Sequence, residues 1–380
     1  MERSTELGLI RRALAHIAAG STDRGAPAES PIERYTSAAR LAHEREHIFR
    51  RMPSVVAPAS ALAQAGDFVT HDHTGVPLLV VRGEDGSLRG FVNVCRHRGT
   101  RVVDEARGRR RAFVCPYHSW TYGLDGALRG LAHPQEFPGL DRERSGLVEV
   151  PVAEALGLVW AIPAAGAALD IRAWLGEGGR DLAGFGYDRY VAWDERSFVS
   201  PHNWKLAFDA SLETYHVQYA HRGTIAPIFF DNLSVCDRFG DHQRIVLPKR
   251  SILGLRGTDP AGWSIRTHGN VLCLFFPNVI FLDIGDHATL LIVHPRTPGE
   301  SLVHAITLIP ELPATDKARA HWNENVRIFW DALNEDFAMM ASIQRGLESG
   351  SNPSLRFGAS EYMVAAFHDS VERALTHAEG

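Results

Sequence analysis

The sequence predicts an α+β protein in which an all-β domain precedes a domain built on an antiparallel sheet, and three observations predict it. From about residue 53 to 150 the chain is strand and turn, with apolar runs bounded by glycine, aspartate and serine. Four further apolar runs, Leu272–Phe276, Val279–Ile284, Thr289–Val293 and Leu302–Ile309, follow one another with connections too short for anything but antiparallel strands. Two helical patterns then close the chain, Thr315–Glu348 and Tyr362–His377.

In chain order, residues 1–50 read as a helical segment packing on the second domain, with a polar break at Gly20–Pro31 and a second helix through Ser37–Arg51. Arg11, Arg12 and His16 interrupt any apolar run at the start, which reads as an amphipathic helix and not as a signal peptide, and no run reaches membrane-spanning length. Residues 51–155 form the first domain. The runs Val76–Val81 and Leu88–Val92 flank the turn at Glu84–Ser87, and an Ala/Gly/Pro passage at Ile162–Gly166 marks a change of character. Residues 156–380 form the second domain.

The length of 380 residues allows two or three domains, and 45% hydrophobic with 22% charged residues is ordinary globular composition. A net charge of −5 argues against a nucleic-acid-binding protein. Of four cysteines, Cys236 and Cys273 sit in strand-like contexts and read as buried free thiols, so a reducing, cytoplasmic compartment is expected.

The other two cysteines carry chemistry. Cys95-Arg96-His97 is followed after seventeen residues by Cys115-Pro116-Tyr117-His118. C-x-H and C-x₂-H is the ligand pattern of a Rieske [2Fe–2S] centre, with two thiolates on one iron and two imidazoles on the other. The same residues could hold zinc, but zinc sites usually pair Cys with Cys and His with His. The β-type runs leading into both loops also differ from a zinc finger. Between the loops lies a basic run, Arg107-Gly108-Arg109-Arg110-Arg111. It reads either as a solvated hairpin tip or as a docking patch for an acidic electron donor.

A second constellation lies in the stretch from Asn203 to His221, which contains Glu213, His216 and His221. The two imidazoles can hold Fe(II), and a carboxylate from elsewhere in the chain would complete a facial triad. Glu213 and His216 are three apart and would share a helix face. His221 falls about 140° from His216 round an ideal helix, so the helix must distort or end between them.

On CRHRG…CPYHSWTYGLDG, on NWK…E-x-Y-H-x₄-H, and on Asn334-Glu335-Asp336 with Ile343–Leu347, the chain resembles the Rieske non-haem iron oxygenases in their terminal-oxygenase α subunit. The resemblance runs from about residue 40 to the C-terminus. It implies a helix-grip (Bet v1/START-like) second domain. It implies Cys95, His97, Cys115 and His118 as cluster ligands, and His216, His221 and Asp336 as ligands of a mononuclear iron. Glu213 falls at the acid that links an iron-ligand histidine to a cluster histidine of the neighbouring subunit, which implies a head-to-tail homotrimer. Asp209 is expected just outside the metal ligands; Ala210 stands where the family often has asparagine, so no amide contact is expected there.

The implied activity is mono- or dioxygenation, or oxidative dealkylation, of a small organic substrate with O2. Electrons would come from NAD(P)H through a separate flavin reductase, directly or through a ferredoxin. Glu rather than Asp at 213 looks more like members acting on quaternary amines. Trp193, Trp263, Phe275, Phe276, Phe281, Trp322 and Trp330 are candidates for a cation-binding cage, although aromatics in such elements are more often core. His71-Asp72-His73 reads as a surface turn. An electron carrier without the mononuclear iron, or a zinc-stabilised binding module, are the alternatives.

Overall fold

The computed structural model describes residues 1–376, so His377, the last residue of the final helical pattern, lies outside the described residues. The chain opens with α1 (Arg3–Ala19), β1 (Ala28–Pro31), α2 (Glu33–Thr36) and α3 (Ala38–Glu44). It divides into two compact units, one formed by Arg45–Trp174 and the other by Met1–Glu44 with Leu175–Gly380.

The unit Arg45–Trp174 is all-β. Its strands are β2 (Ser54–Pro58), β3 (Asp67–His71), β4 (Leu78–Arg82), β5 (Leu88–Val92), β6 (Arg107–Arg109), β7 (Ala112–Val114), β8 (Thr121–Gly123), β9 (Leu128–Gly130), β10 (Glu149–Val150), β11 (Val152–Ala155) and β12 (Leu158–Ala161). They form a five-stranded sheet of order β10-β5-β4-β3-β6 and two three-stranded sheets, β11-β12-β2 and β7-β8-β9. Strand β4 shows why this unit has two cores. Leu79 and Val81 pack with Phe68, Phe91, Phe113 and Tyr122, whereas Leu78 and Val80 pack with Val56, Val69 and Val159. Successive side chains leave opposite faces of a strand, so an unbroken apolar run is the signature of a strand covered on both sides.

The basic run at 107–111 is not a hairpin tip. Its first residues form the edge strand β6 on β3. Arg109 Nε donates to Asp67 Oδ1 at 2.7 Å, and Arg110 bonds Glu105.

In the other unit the elements continue with α4 (Ile171–Ala183), β13 (Val191–Ser200), α5 (Trp204–Ser211), α6 (Val217–Ala220), β14 (Val235–Phe239), β15 (His242–Pro248), α7 (Ile265–His268), β16 (Gly269–Phe275), β17 (Val279–Asp283), β18 (Ala288–Thr297), β19 (Glu300–Ile309), α8 (Asp316–Glu348), β20 (Ser354–Phe357) and α9 (Tyr362–Thr376). β14 to β19 form an antiparallel meander, and β13 pairs with β19 to complete a seven-stranded sheet of order β13-β19-β18-β17-β16-β15-β14. β1 pairs with β20, tying the N-terminal segment to the C-terminal one.

The α+β class therefore stands, but the helix-grip expectation does not. Helices are interspersed instead: α5 and α6 fill the crossover between β13 and β14, α8 packs on β13 and α5, and α9 packs on β1, α3 and α5. The run of strands followed by helices could not show this, because the insertion after β13 lies outside the meander.

Helix α5 is set by a buried ion pair. Asn203 caps it by accepting from Lys205 N at 3.0 Å. Lys205 Nζ then donates to both Glu44 oxygens, at 2.7 and 2.9 Å, and Trp204 Nε1 donates to Glu44 at 2.8 Å. Among the described residues no helix is long and apolar enough to cross a membrane.

Candidate functional site

The two cysteine loops share one backbone design. Cys95 N donates to Thr100 O and Gly99 N to Cys95 O, at 2.8 and 3.0 Å; Cys115 N donates to Trp120 O and Ser119 N to Cys115 O, at the same distances. Each loop turns at a left-handed residue, Gly99 at φ 79° and Ser119 at φ 58°. Glycine takes that conformation freely, while an L-residue there costs roughly 1–2 kcal/mol. Asn93, fully buried, fixes the first loop: its amide donates to Val103 O at 2.7 Å and its carbonyl accepts from Val102 N and Val103 N, both at 3.1 Å.

This folding places two buried thiols and two imidazoles together. Cys95 Sγ lies 3.3 Å from the Tyr122 hydroxyl, which also accepts from Arg96 N at 3.0 Å. Burial pushes the Cys115 thiol up. His97 and His118 have ring centroids 4.8 Å apart, and His97 stacks on Trp120 at 5.0 Å and 7°. Burial, with His118 and Arg98 nearby, lowers the His97 pKa. His118 Nδ1 is buried without a hydrogen-bonding partner. Two thiols, two facing rings and an unsatisfied ring nitrogen are the donor set a Rieske cluster takes.

The second set is carried by α6 and α8. Helix α6 is only four residues long, with His216 at its N-cap and His221 at its C-cap, so the helix does end between the two imidazoles. Their rings lie 5.2 Å apart. Asp336 Oδ1, from α8, stands 3.6 Å from His216 Nε2 and 3.0 Å from His221 Nε2. One ligand atom from each of the three residues lies within 4.8 Å of the others.

The remaining ring nitrogens are held by carboxylates. Glu213 bonds His216 Nδ1, and Glu335 lies 2.7 Å from His221 Nδ1 while accepting from Thr224 Oγ1 at 2.6 Å. A carboxylate on one imidazole nitrogen fixes the tautomer and orients the other nitrogen toward a metal. Burial works against charging either ring, but Glu213 outweighs it at His216, and Asp336 with Glu335 at His221, so both pKa values are raised. Hydrogen bonds from Thr224 and His221 outweigh burial and hold Glu335 low.

Three details differ from expectation or were unforeseen. Glu213 and His216 do not share a helix face: residues 212–216 are non-helical, and Glu213 turns back to accept from the backbone N–H groups of Tyr215 and His216. Glu335 has a contact that its sequence position beside Asp336 could have suggested. Asp209 bonds Tyr35 and His368, and nothing in the sequence links those positions.

A cavity of about 250 Å³ adjoins the second set and is lined by Asp209, Glu213, His216, Asp336 and Glu361 among apolar side chains. Burial raises the Glu361 carboxyl, with the charges of Glu213 and Asp209 adding to it. The aromatic cage candidates do not line this cavity. Phe275, Phe276 and Phe281 are core, and Trp330 packs on Phe198 under Arg196. His71 is the buried last residue of β3 and not part of a surface turn; Asp72, which follows it, pairs with Arg101 at 2.6 Å.

Comparison with known proteins identifies the family of both parts of the chain. The family model "Ring hydroxylating alpha subunit (catalytic domain)" matches residues 184–377, and "Rieske [2Fe-2S] domain" matches residues 52–146. The carnitine monooxygenase oxygenase subunit of Acinetobacter baumannii is 30% identical over 361 residues, covering 89% of this chain and 92% of that protein. The chloroplastic choline monooxygenase of Beta vulgaris is 28% identical over 334 residues, covering 86% of this chain and 72% of that protein.

Among solved structures, the quaternary ammonium Rieske monooxygenase CntA, in complex with an inhibitor, superposes with a TM-score of 0.79 at 25% identity, covering 91% of this chain and 95% of that one. A naphthalene 1,2-dioxygenase with bound indole shares the fold at a TM-score of 0.75 and 18% identity, covering 91% and 92%. These likenesses replace the helix-grip assignment with the Rieske-oxygenase catalytic fold of antiparallel sheets and interspersed helices. The chain belongs to the ring-hydroxylating α-subunit family: it is a Rieske-type non-haem iron terminal oxygenase, which uses O2 and electrons from a reductase to oxidise a small organic substrate.

Proposed function

We propose that this oxygenase is a monooxygenase of small quaternary amines. The observation that carries the reading is the cavity beside His216 and Asp336, whose polar lining is dominated by carboxylates, with Arg356 the one lysine or arginine among its lining residues. Negative charge around an otherwise apolar space suits a compact organic cation. The choline and carnitine monooxygenases named above support the same class.

In this reading Cys95, His97, Cys115 and His118 hold the [2Fe–2S] cluster, and His216, His221 and Asp336 hold the mononuclear iron. When bound, the cluster supplies single electrons and the iron activates O2 so that one oxygen atom enters a C–H bond and the other leaves as water. The residues do the rest. Glu213 and Glu335 orient the two imidazoles through Nδ1 and leave Nε2 for the metal. Apolar lining from Leu206, Met340 and Val364 excludes water from the reacting carbon. Hydroxylation of a carbon next to nitrogen gives a hemiaminal, whose collapse breaks the C–N bond and yields a carbonyl compound and a less substituted amine.

Glu213 is also the electron bridge to the cluster of a neighbouring subunit in a head-to-tail homotrimer. A flavin reductase oxidising NAD(P)H is the partner, with or without a ferredoxin, and the compartment is cytoplasmic. The test is an anaerobic single turnover of cluster-reduced enzyme mixed with oxygenated buffer. The panel holds quaternary amines, aromatic acids and steroids; visible absorbance follows the cluster and mass spectrometry the product. Product from quaternary amines alone is expected. Product confined to aromatic acids or steroids would overturn the substrate class.

A further inference from the structure

Of the carboxylates that line the cavity, Glu213 is committed to His216 and Asp336 to the imidazole pair. Asp209 is held in a different way, by residues that no ligand pattern in the sequence singles out. The Tyr35 hydroxyl, on α2, donates to Asp209 Oδ2 at 2.7 Å. His368 Nε2, on α9, lies 2.9 Å from Asp209 Oδ1 and 2.9 Å from the Tyr35 oxygen. Three elements that are far apart in sequence thus meet on one carboxylate.

The two partners are buried. Tyr35 is 0% and His368 2% exposed, whereas the Asp209 side chain keeps 12% of its surface and lines the cavity. His368 stacks on Phe357 at 5.7 Å and 11° and meets Tyr35 edge-on at 5.5 Å. Its hydrogen bonds to Tyr35 and Asp209 are both made at Nε2, and Nδ1 has no partner among the described residues. The set therefore fixes a carboxylate and does not pass protons beyond it. Burial and the Asp209 charge push the Tyr35 phenol far up, so it serves Asp209 as a donor only.

A carboxylate oxygen has more than one acceptor site. With one donor on each oxygen from behind, Asp209 keeps lone pairs and charge for the cavity. A quaternary ammonium has no N–H to donate, so a fixed charge recognises it where a hydrogen-bonding group would not.

We propose that Tyr35 and His368 are positioning residues that fix Asp209 as the cation-selecting group of the cavity. The proposal rests on the amine reading above. It predicts that selectivity for charge over shape depends on residues from α2 and α9 that line no part of the metal site.

The test measures binding to the oxidised holoenzyme by isothermal titration calorimetry. The probes are choline and 3,3-dimethylbutan-1-ol, its uncharged carbon isostere. The parent is expected to prefer choline by about tenfold or more, and Asp209→Asn to lose roughly that factor while its affinity for the alcohol stays within about twofold. His368→Leu and Tyr35→Phe are expected to lose about threefold of the preference, and His368→Gln, which keeps an N–H donor, to restore most of it. Iron and sulfide content accompany every titration as a check on folding.

Asp209→Asn with the parent's preference would overturn the proposal and leave the amine reading standing. Should that variant fail to fold, equal preference in His368→Leu, His368→Gln and the parent overturns it equally. A parent that binds the alcohol as tightly as choline would overturn the amine reading, and the proposal with it.

Discussion

Replacing Lys205 by methionine removes an ammonium that is 1% exposed while keeping most of the side-chain volume. The ammonium donates to both oxygens of Glu44, itself 0% exposed, and burial pushes it below the ordinary lysine range against the pull of that carboxylate. Without it, Glu44 keeps two donors, Trp204 Nε1 at 2.8 Å and Arg40 Nε at 3.1 Å. Removing one partner of a buried pair costs about 3–5 kcal/mol. The two surviving donors put this case near the lower end, about 3 kcal/mol.

Urea unfolding followed by tryptophan fluorescence would read the loss. Adding Glu44→Gln removes the stranded charge but leaves an acceptor for Trp204, so the double variant is expected to recover about half of the loss. A single variant within about 0.5 kcal/mol of the parent would refute the reasoning. A double variant no more stable than the single would refute it as well. Since α5 carries Asp209, choline affinity is expected to fall in the single variant and return in the double.

Four other outcomes are expected. Glu213→Gln keeps about three irons and two sulfides per chain but lowers turnover by roughly 100-fold, because the amide is a weaker acceptor for His216; a variant retaining most of the parent's activity would remove Glu213 from electron transfer. Asp336→Ala brings iron to about two per chain with sulfide unchanged, measured by metal analysis; retention of the third iron would exclude Asp336 as a ligand. Burial pushes the thiols of Cys236 and Cys273 up to about 11 and about 12 from 9.0. Their contribution to stability is therefore complete below pH 9.0 and is lost as pH rises through the folded values, and unfolding free energies from urea for Cys236→Ala should show a flatter alkaline decline, by about 3 kcal/mol in all. Arg109→Glu with Arg110→Glu slows cluster reduction by its donor more at low than at high ionic strength, and equal rates at low salt would dismiss a docking role.

The parts of this molecule that were readable from sequence are those where chemistry dictates both residue type and spacing. Cys95 with His97, and Cys115 with His118, stand close enough in the chain to be seen as pairs. His216 and His221 were visible as a pair whose spacing forbids a continuous helix, and the chain does break there. The meander from β16 to β19 was legible because each strand pairs with the next. What escaped depends on contacts between distant residues. Tyr35, Asp209 and His368 meet from three helices, and no periodicity joins positions so far apart. The helix-grip assignment failed for a related reason: only the last four strands of the meander and the last two helices were read, and β13, whose partner is β19, is separated from it by three helices and the rest of the meander.

The twin cysteine loops carry a further consequence, for how ligand spacing works as a code. Both loops are the same α-turn, closed by the same pair of backbone hydrogen bonds around a left-handed residue. Yet the imidazole follows its cysteine by two positions in one loop and by three in the other. On a helix-like turn, neighbouring positions point about 100° apart. A single scaffold used twice therefore aims its two rings in different directions relative to their own turns, and the two rings meet at 4.8 Å. The loops are interchangeable as backbone but not as ligand donors. Grafting either loop into the place of the other would preserve the turn and misdirect the ring.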